Sequence, residues 1–226
     1  VNGGETTSWR VIQGAAAGDP ALRDEYARRY APVMEAYLGA RWRGSPLARE
    51  VQDAVQEAFV ECFRPGGALE HAEPQRGSGF RAYLFGVLRN VARRIEQRRV
   101  RDGRLTGLAA AALERRAPAE ESASVAFDRA WAQALMQEAA QRQAQRAGDA
   151  AARRRVELLR LRFQDGQPIR EIARSWQVDP DLLHHEYARA RREFEAALRE
   201  VVAAHHPGSA AEIDETLREV IRALGG

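Results

Sequence analysis

Hydrophobic positions along this chain recur at steps of three and four almost from end to end, and no segment alternates convincingly with period two. Such steps put side chains on one face of an α-helix, so the pattern predicts an all-α protein. The first strong stripe is Leu22, Tyr26, Tyr30, Val33 and Tyr37, preceded by Asp19-Pro20, a cap followed by a proline in the first turn. Pro32 lies inside that stripe and predicts a kink, because it lacks a backbone donor and crowds the preceding turn. Gly44-Ser45-Pro46 interrupts the pattern. A second helix is expected from Leu47 to Phe63 on Val51, Val55, Phe59 and Phe63, ended by Pro65-Gly66-Gly67. After an irregular segment through Gly79, a third helix follows on Phe80, Leu84, Val87, Val91 and Ile95.

Residues 102–124 carry no sustained stripe after Gly107 and end in Pro, Glu and Ser, which predicts a flexible linker with at most an Ala-rich turn of helix. Helical spacing returns with Phe127, Trp131 and Leu135, breaks near Gly148-Asp149, and resumes with Val156, Leu159 and Phe163. Ile169, Ile172, Ala173 and Trp176 then predict a short helix, with Gln177-Val178-Asp179 as a turn. Asp179-Pro180 opens a longer helix to about Val202. This is helix-turn-helix spacing, although glutamine stands where the turn usually has glycine. A plain helical hairpin would have the same spacing. The last amphipathic stretch holds Ile213, Leu217, Val220, Ile221 and Leu224. The expected organisation is two helical domains, 1–101 and 125–204, joined by the linker 102–124 and followed by an acidic tail helix, 205–226.

Composition narrows the class. The 226 residues suit one or two small domains, and 45% hydrophobic residues can build real cores. With 30% charged residues, a mean hydropathy of −0.52 and no long apolar run, the chain is expected to be soluble and free of the membrane. The N-terminus shows no signal pattern. A lone cysteine, Cys62, excludes an internal disulfide and fits a reducing cytoplasm. Arginine supplies all 35 basic residues, and they are unevenly placed. Residues 1–75 hold 8 Arg against 11 acids, whereas residues 76–116 hold 11 Arg against 3 acids. Such a patch points to a polyanion, and a solvated basic face is the plainer reading.

Tyr83, Asn90, Arg94, Gln97 and Arg101 share one edge of the third helix. A ring, an amide and guanidinium groups along one edge can stack on a base, bond its edge and hold phosphates. Catalytic and metal chemistry find no comparable pattern. Cys62 sits among core-spaced residues, and adjacent histidines in His184-His185 and His205-His206 diverge on a helix. The four tryptophans are expected in helix packing.

The pattern as a whole resembles the extracytoplasmic-function (ECF) sigma factors, small bacterial initiation factors built from sigma region 2, a linker and sigma region 4. The likeness covers roughly residues 20–101 and 125–202. DAVQEAFVECF, Asp53 to Phe63, resembles the acidic helix with which these factors grip the clamp of core RNA polymerase. That resemblance assigns Asp53, Gln56, Glu57 and Val60 to polymerase binding. FRAYLFGVLRNVARR resembles the helix that reads and opens the −10 element, with Tyr83 where the family usually has Trp and Asn90 on its characteristic Asn. By the same resemblance Tyr83, Asn90, Arg94, Gln97, Arg98 and Arg101 face −10 DNA.

EIARSWQV followed by YARARREFEAAL resembles the −35 reading module, which assigns Asp181, His184, His185, Arg189 and Arg192 to duplex contact. The sequence departs from the family at Leu182-Leu183-His184-His185-Glu186, where most members carry a Thr-Val-Lys-Ser-Arg type run. The resemblance implies a cytoplasmic initiation factor with no enzymatic activity, cofactor or metal. Its partners would be polymerase clamp and flap, promoter DNA, and an anti-sigma factor or other regulator. Two other readings stay open: a helix-turn-helix regulator that works without polymerase, and a helical interaction scaffold.

Overall fold

The computed structural model describes residues 7–73, 79–103 and 116–225. Among them every regular element is a helix: α1 Thr7–Ala16, α2 Pro20–Arg41, α3 Val51–Phe63, α4 Gly79–Arg101, α5 Arg116–Arg146, α6 Ala150–Phe163, α7 Ile169–Trp176, α8 Pro180–His205 and α9 Ala210–Gly225. Short 3-10 turns cover Pro46–Glu50 and Ala68–His71. The chain divides into two compact units, Val1–Ala134 with Ala203–Gly226, and Leu135–Val202. The division falls inside α5 and inside α8.

The first unit is built on aromatic rings. Asp19 caps α2 as expected, its Oδ1 accepting from the amides of Ala21 and Leu22 at 2.9 and 3.1 Å. The helix continues through Pro32 as one element, and Tyr30, Val33, Met34 and Tyr37 beside the proline are all buried. Tyr30 stacks on Trp131 at 5.8 Å, and Phe127 stacks on Trp131 at 6.2 Å. Phe80 lies 5.3 Å from Tyr30. Each such pair contributes about 0.5–1.5 kcal/mol beyond burial alone. The helix α1 has no counterpart among the expected elements, yet Trp9, Val11, Ile12 and Ala15 place it in this core.

Two expectations about organisation are corrected. Residues 116–124, assigned to the linker, are the opening turns of α5, while residues 104–115 lie outside the described residues. Small alanines hide an amphipathic stripe but have high helix propensity. Ala123 and Phe127 are buried, and Glu120 pairs with Arg89 and approaches Arg41. Residues 125–134 and the tail, expected in the second domain and apart from both, belong to the first unit. His205 supplies one reason: it sits edge-on to Trp131 at 5.3 Å, with its Nε2 3.1 Å from the Tyr30 hydroxyl. Leu217 and Val220 of α9 are buried. Gly79 marks how close the chain passes. Its φ is +62°, and a β-carbon there would meet His206 Nδ1 at 2.8 Å and the His205 carbonyl at 3.0 Å.

One core cluster of the second unit holds Leu158, Ile169, Ile172, Ala173 and Leu183, with Leu161, Trp176, Val178 and Tyr187 at its margin. Caps define its elements. Asp149 receives the Ala152 amide at 2.6 Å, and Asp179 receives those of Asp181 and Leu182 at 2.7 and 3.1 Å. The Gln143 amide donates to the Ala190 carbonyl at 3.1 Å, tying α5 to α8.

Candidate nucleic-acid and partner surfaces

The buried face of α4 decides which of its residues meet solvent. Phe80, Leu84, Leu88, Val91, Ala92, Ile95 and Glu96 turn inward, with Val87 only half-buried. On the other side Asn90, Arg94, Gln97, Arg98 and Arg101 are exposed. Tyr83 differs: it is half-buried, its hydroxyl donates to the Ala68 carbonyl, and its ring lies 6.4 Å from Phe80.

A buried ion pair lies beneath this edge. Arg41 donates to both Glu96 oxygens, Nε to Oε1 at 2.7 Å and Nη2 to Oε2 at 3.1 Å. Trp42 Nε1 adds a third bond to Oε1 at 2.9 Å. Burial by itself would make Arg41 less basic, but the bonds to Glu96 outweigh it and raise its pKa. Glu96 is one of the three acids among the 11 arginines of residues 76–116. Leu88, Ala92 and Glu96 follow one another at steps of four, and that spacing was the available signal.

The α3 residues assigned to a partner fall on two sides. Asp53, Gln56 and Val60 are exposed, Val60 by 64%, while Ala54, Val55, Ala58 and Cys62 are buried. Burial pushes the Cys62 thiol up to about 12, which keeps it protonated and unreactive. Glu57 is half-buried and engaged within the chain. Its Oε1 receives Arg94 Nε at 3.2 Å and its Oε2 receives Arg98 Nη2 at 2.9 Å. Glu61 receives Arg94 Nη1 at 3.2 Å, and Glu50 receives Arg99 Nη2 at 2.7 Å. The Glu61 carboxyl is held below its ordinary range by Arg64 first, and by Arg94 as well.

In the second unit α7, a three-residue turn and α8 follow each other as the spacing predicts. Gln177 adopts φ 52° and ψ 46°, the left-handed conformation for which the turn favours glycine. Asp181, His184, His185, Arg189 and Arg192 are all exposed. Within the divergent run Leu183 belongs to the core, and Glu186 receives Arg155 Nη1 at 3.3 Å. Its charge is therefore opposed by an arginine that is only 5% exposed and that also donates to Glu193 at 2.9 Å. Leu182, 58% exposed, offers an apolar contact at the start of α8. Arg170 and Arg174, outside the contacts the resemblance assigns, are also exposed one turn apart on α7.

Among the described residues no group of three His, Cys, Asp or Glu clusters as metal ligands, and no helix is long and apolar enough to cross a membrane. No family model matches the chain, and no curated protein or solved structure matches it.

Proposed function

We propose that the protein is a transcription initiation factor of the sigma type, which binds core RNA polymerase and directs it to promoters. The observation that supports this reading most is the surface of the first unit. Its core leaves exposed both the Asp53-Gln56-Val60 face of α3 and the Asn90-Arg94-Gln97-Arg98-Arg101 edge of α4. One surface suits a protein partner. The other suits an opened strand, with Asn90 able to bond a base edge and the arginines able to hold phosphates. In the second unit, the α7–α8 hairpin presents Arg170, Arg174, Arg189 and Arg192 for duplex contact, α7 crossing the backbone and α8 entering the major groove. The Tyr83 ring is available to a base only on the part that Phe80 leaves uncovered.

Co-purification with core RNA polymerase tests the proposal. The full chain is expected to co-elute with core enzyme, and Asp53→Arg with Gln56→Arg is expected to abolish that while helix content is unchanged. Asn90→Ala should then impair strand opening by the assembled enzyme more than its assembly. The exposed arginines of the α7–α8 hairpin favour one other reading, a regulator that binds duplex unaided. Tight, sequence-selective duplex binding without polymerase, and no co-elution with it, would establish that instead.

A further inference from the structure

Two carboxylates already occupy the arginines that a strand would need. Glu57 and Glu61 stand one turn apart on α3, and Arg94 and Arg98 stand one turn apart on α4, so the side chains interlock as a short ladder. Glu57 bridges both arginines, at 3.2 and 2.9 Å, and Glu61 takes the second fork of Arg94 at 3.2 Å. These pairs sit at the surface. The arginine side chains are 49 and 45% exposed, and the glutamates 25 and 22%. Surface pairs are screened and weak, so a phosphate that takes a guanidinium with two parallel bonds can displace them. The Arg41–Glu96 pair, shut away beneath α4, has no such freedom.

We propose that Glu57 and Glu61 are an internal competitor for Arg94 and Arg98 that couples the α3 surface to the α4 edge. A cationic group docking on α3 draws the carboxylates to itself and releases the arginines to a nucleic-acid strand. A strand on α4 releases the carboxylates to the cationic partner. Linkage requires the two effects to be equal, so each ligand tightens the other by the same factor. The free protein thus holds its strand-binding edge partly neutralised until a partner arrives. The inference rests on the α4 edge being a nucleic-acid surface, and deepens that reading by giving it a control.

The test needs no polymerase. Binding of a fluorescein-labelled oligothymidylate is measured at one salt concentration for the full-length parent and for Glu57→Gln/Glu61→Gln. A second double variant, Asp24→Asn/Glu70→Gln, removes the same charge from exposed acids outside the ladder and controls for net charge. The ladder variant is expected to bind roughly three- to tenfold tighter than the parent, as fits the loss of the three weak pairs with Arg94 and Arg98 and the one between Glu61 and Arg64. The control variant is expected to stay within about twofold, because it leaves the pairs of Glu57 and Glu61 with Arg94 and Arg98 intact. Adding Arg94→Gln/Arg98→Gln should remove the gain. Equal affinities for the ladder and control variants would overturn the coupling and leave the α4 edge as a strand-binding surface. Absence of binding by every variant would overturn the nucleic-acid reading, and the coupling with it.

Discussion

The two units enclose an arginine each, Arg41 and Arg155, with carboxylates of different exposure. In the first, Arg41 is 7% exposed and Glu96 1%, with their charges enclosed by Tyr37, Trp42 and an aromatic core. In the second, Arg155 is as enclosed as Arg41, at 5%, but the carboxylates it pairs with stay within reach of solvent, their side chains 39 and 34% exposed. Arg155 holds Glu186 and Glu193, and Arg142 and Arg146 hold Glu200. The first core encloses both members of its pair and gives each Arg41 nitrogen a bond, whereas in the second the arginines latch helices through carboxylates that solvent reaches. A buried pair confers specificity of packing more than net stability, and is costly when half is removed. Pairs that solvent reaches contribute little each, respond to salt, and can be rearranged.

Breaking the buried pair gives the largest expected effect. Glu96→Ala leaves Arg41 charged and enclosed, and should destabilise the first unit by about 3–5 kcal/mol. Urea unfolding followed by the fluorescence of Trp9, Trp42 and Trp131 would show it, and replacing Arg41 by Met in the same background should recover part of the loss. In the second unit Ile172→Ala should cost about 2–5 kcal/mol, because a fully buried branched side chain leaves a cavity. Trp176 is the only tryptophan there, so a variant retaining it alone isolates that transition.

Arg155→Ala tests an enclosed arginine whose partners are within reach of solvent. It removes charge-assisted bonds to Glu186 and Glu193 and should cost about 1–3 kcal/mol, with a loss that shrinks at high salt. Gln177→Gly should act in the other direction. Relief of the left-handed backbone, less the entropy glycine brings to the unfolded chain, should stabilise the second unit by roughly 0.5–1 kcal/mol. Acid provides the mildest contrast. Arg146, with Arg142, holds Glu200 low, and against partial desolvation Arg155 and Arg189 do the same for Glu193. Carboxylates lowered by folding stabilise fully above their unfolded value of 4.5, and that contribution fades as pH falls through the folded values. The urea midpoint reported by Trp176 should therefore drop from pH 4.5 downward. An unchanged midpoint would show that these pairs do not contribute.

Much of this was legible in the chain. Spacing of three and four, read with the caps Asp19-Pro20 and Asp179-Pro180 and the break at Gly148-Asp149, located α2, α6, α7 and α8, because periodicity and capping depend on residues within a turn or two. The same spacing placed Tyr83, Asn90, Arg94, Gln97 and Arg101 on one edge, and all but the half-buried Tyr83 are exposed. What required the tertiary structure is every pairing across long sequence separation. Glu96 is separated by 55 residues from Arg41, and Tyr30 by 175 from His205. Spacing from Leu88 and Ala92 puts Glu96 on the inner side, but nothing local marks Arg41 as its partner, Glu57 as already engaged by Arg94 and Arg98, or the tail as part of the first core. A charge or ring has a local position on its helix, but its partner depends on which helices the hydrophobic stripes bring together.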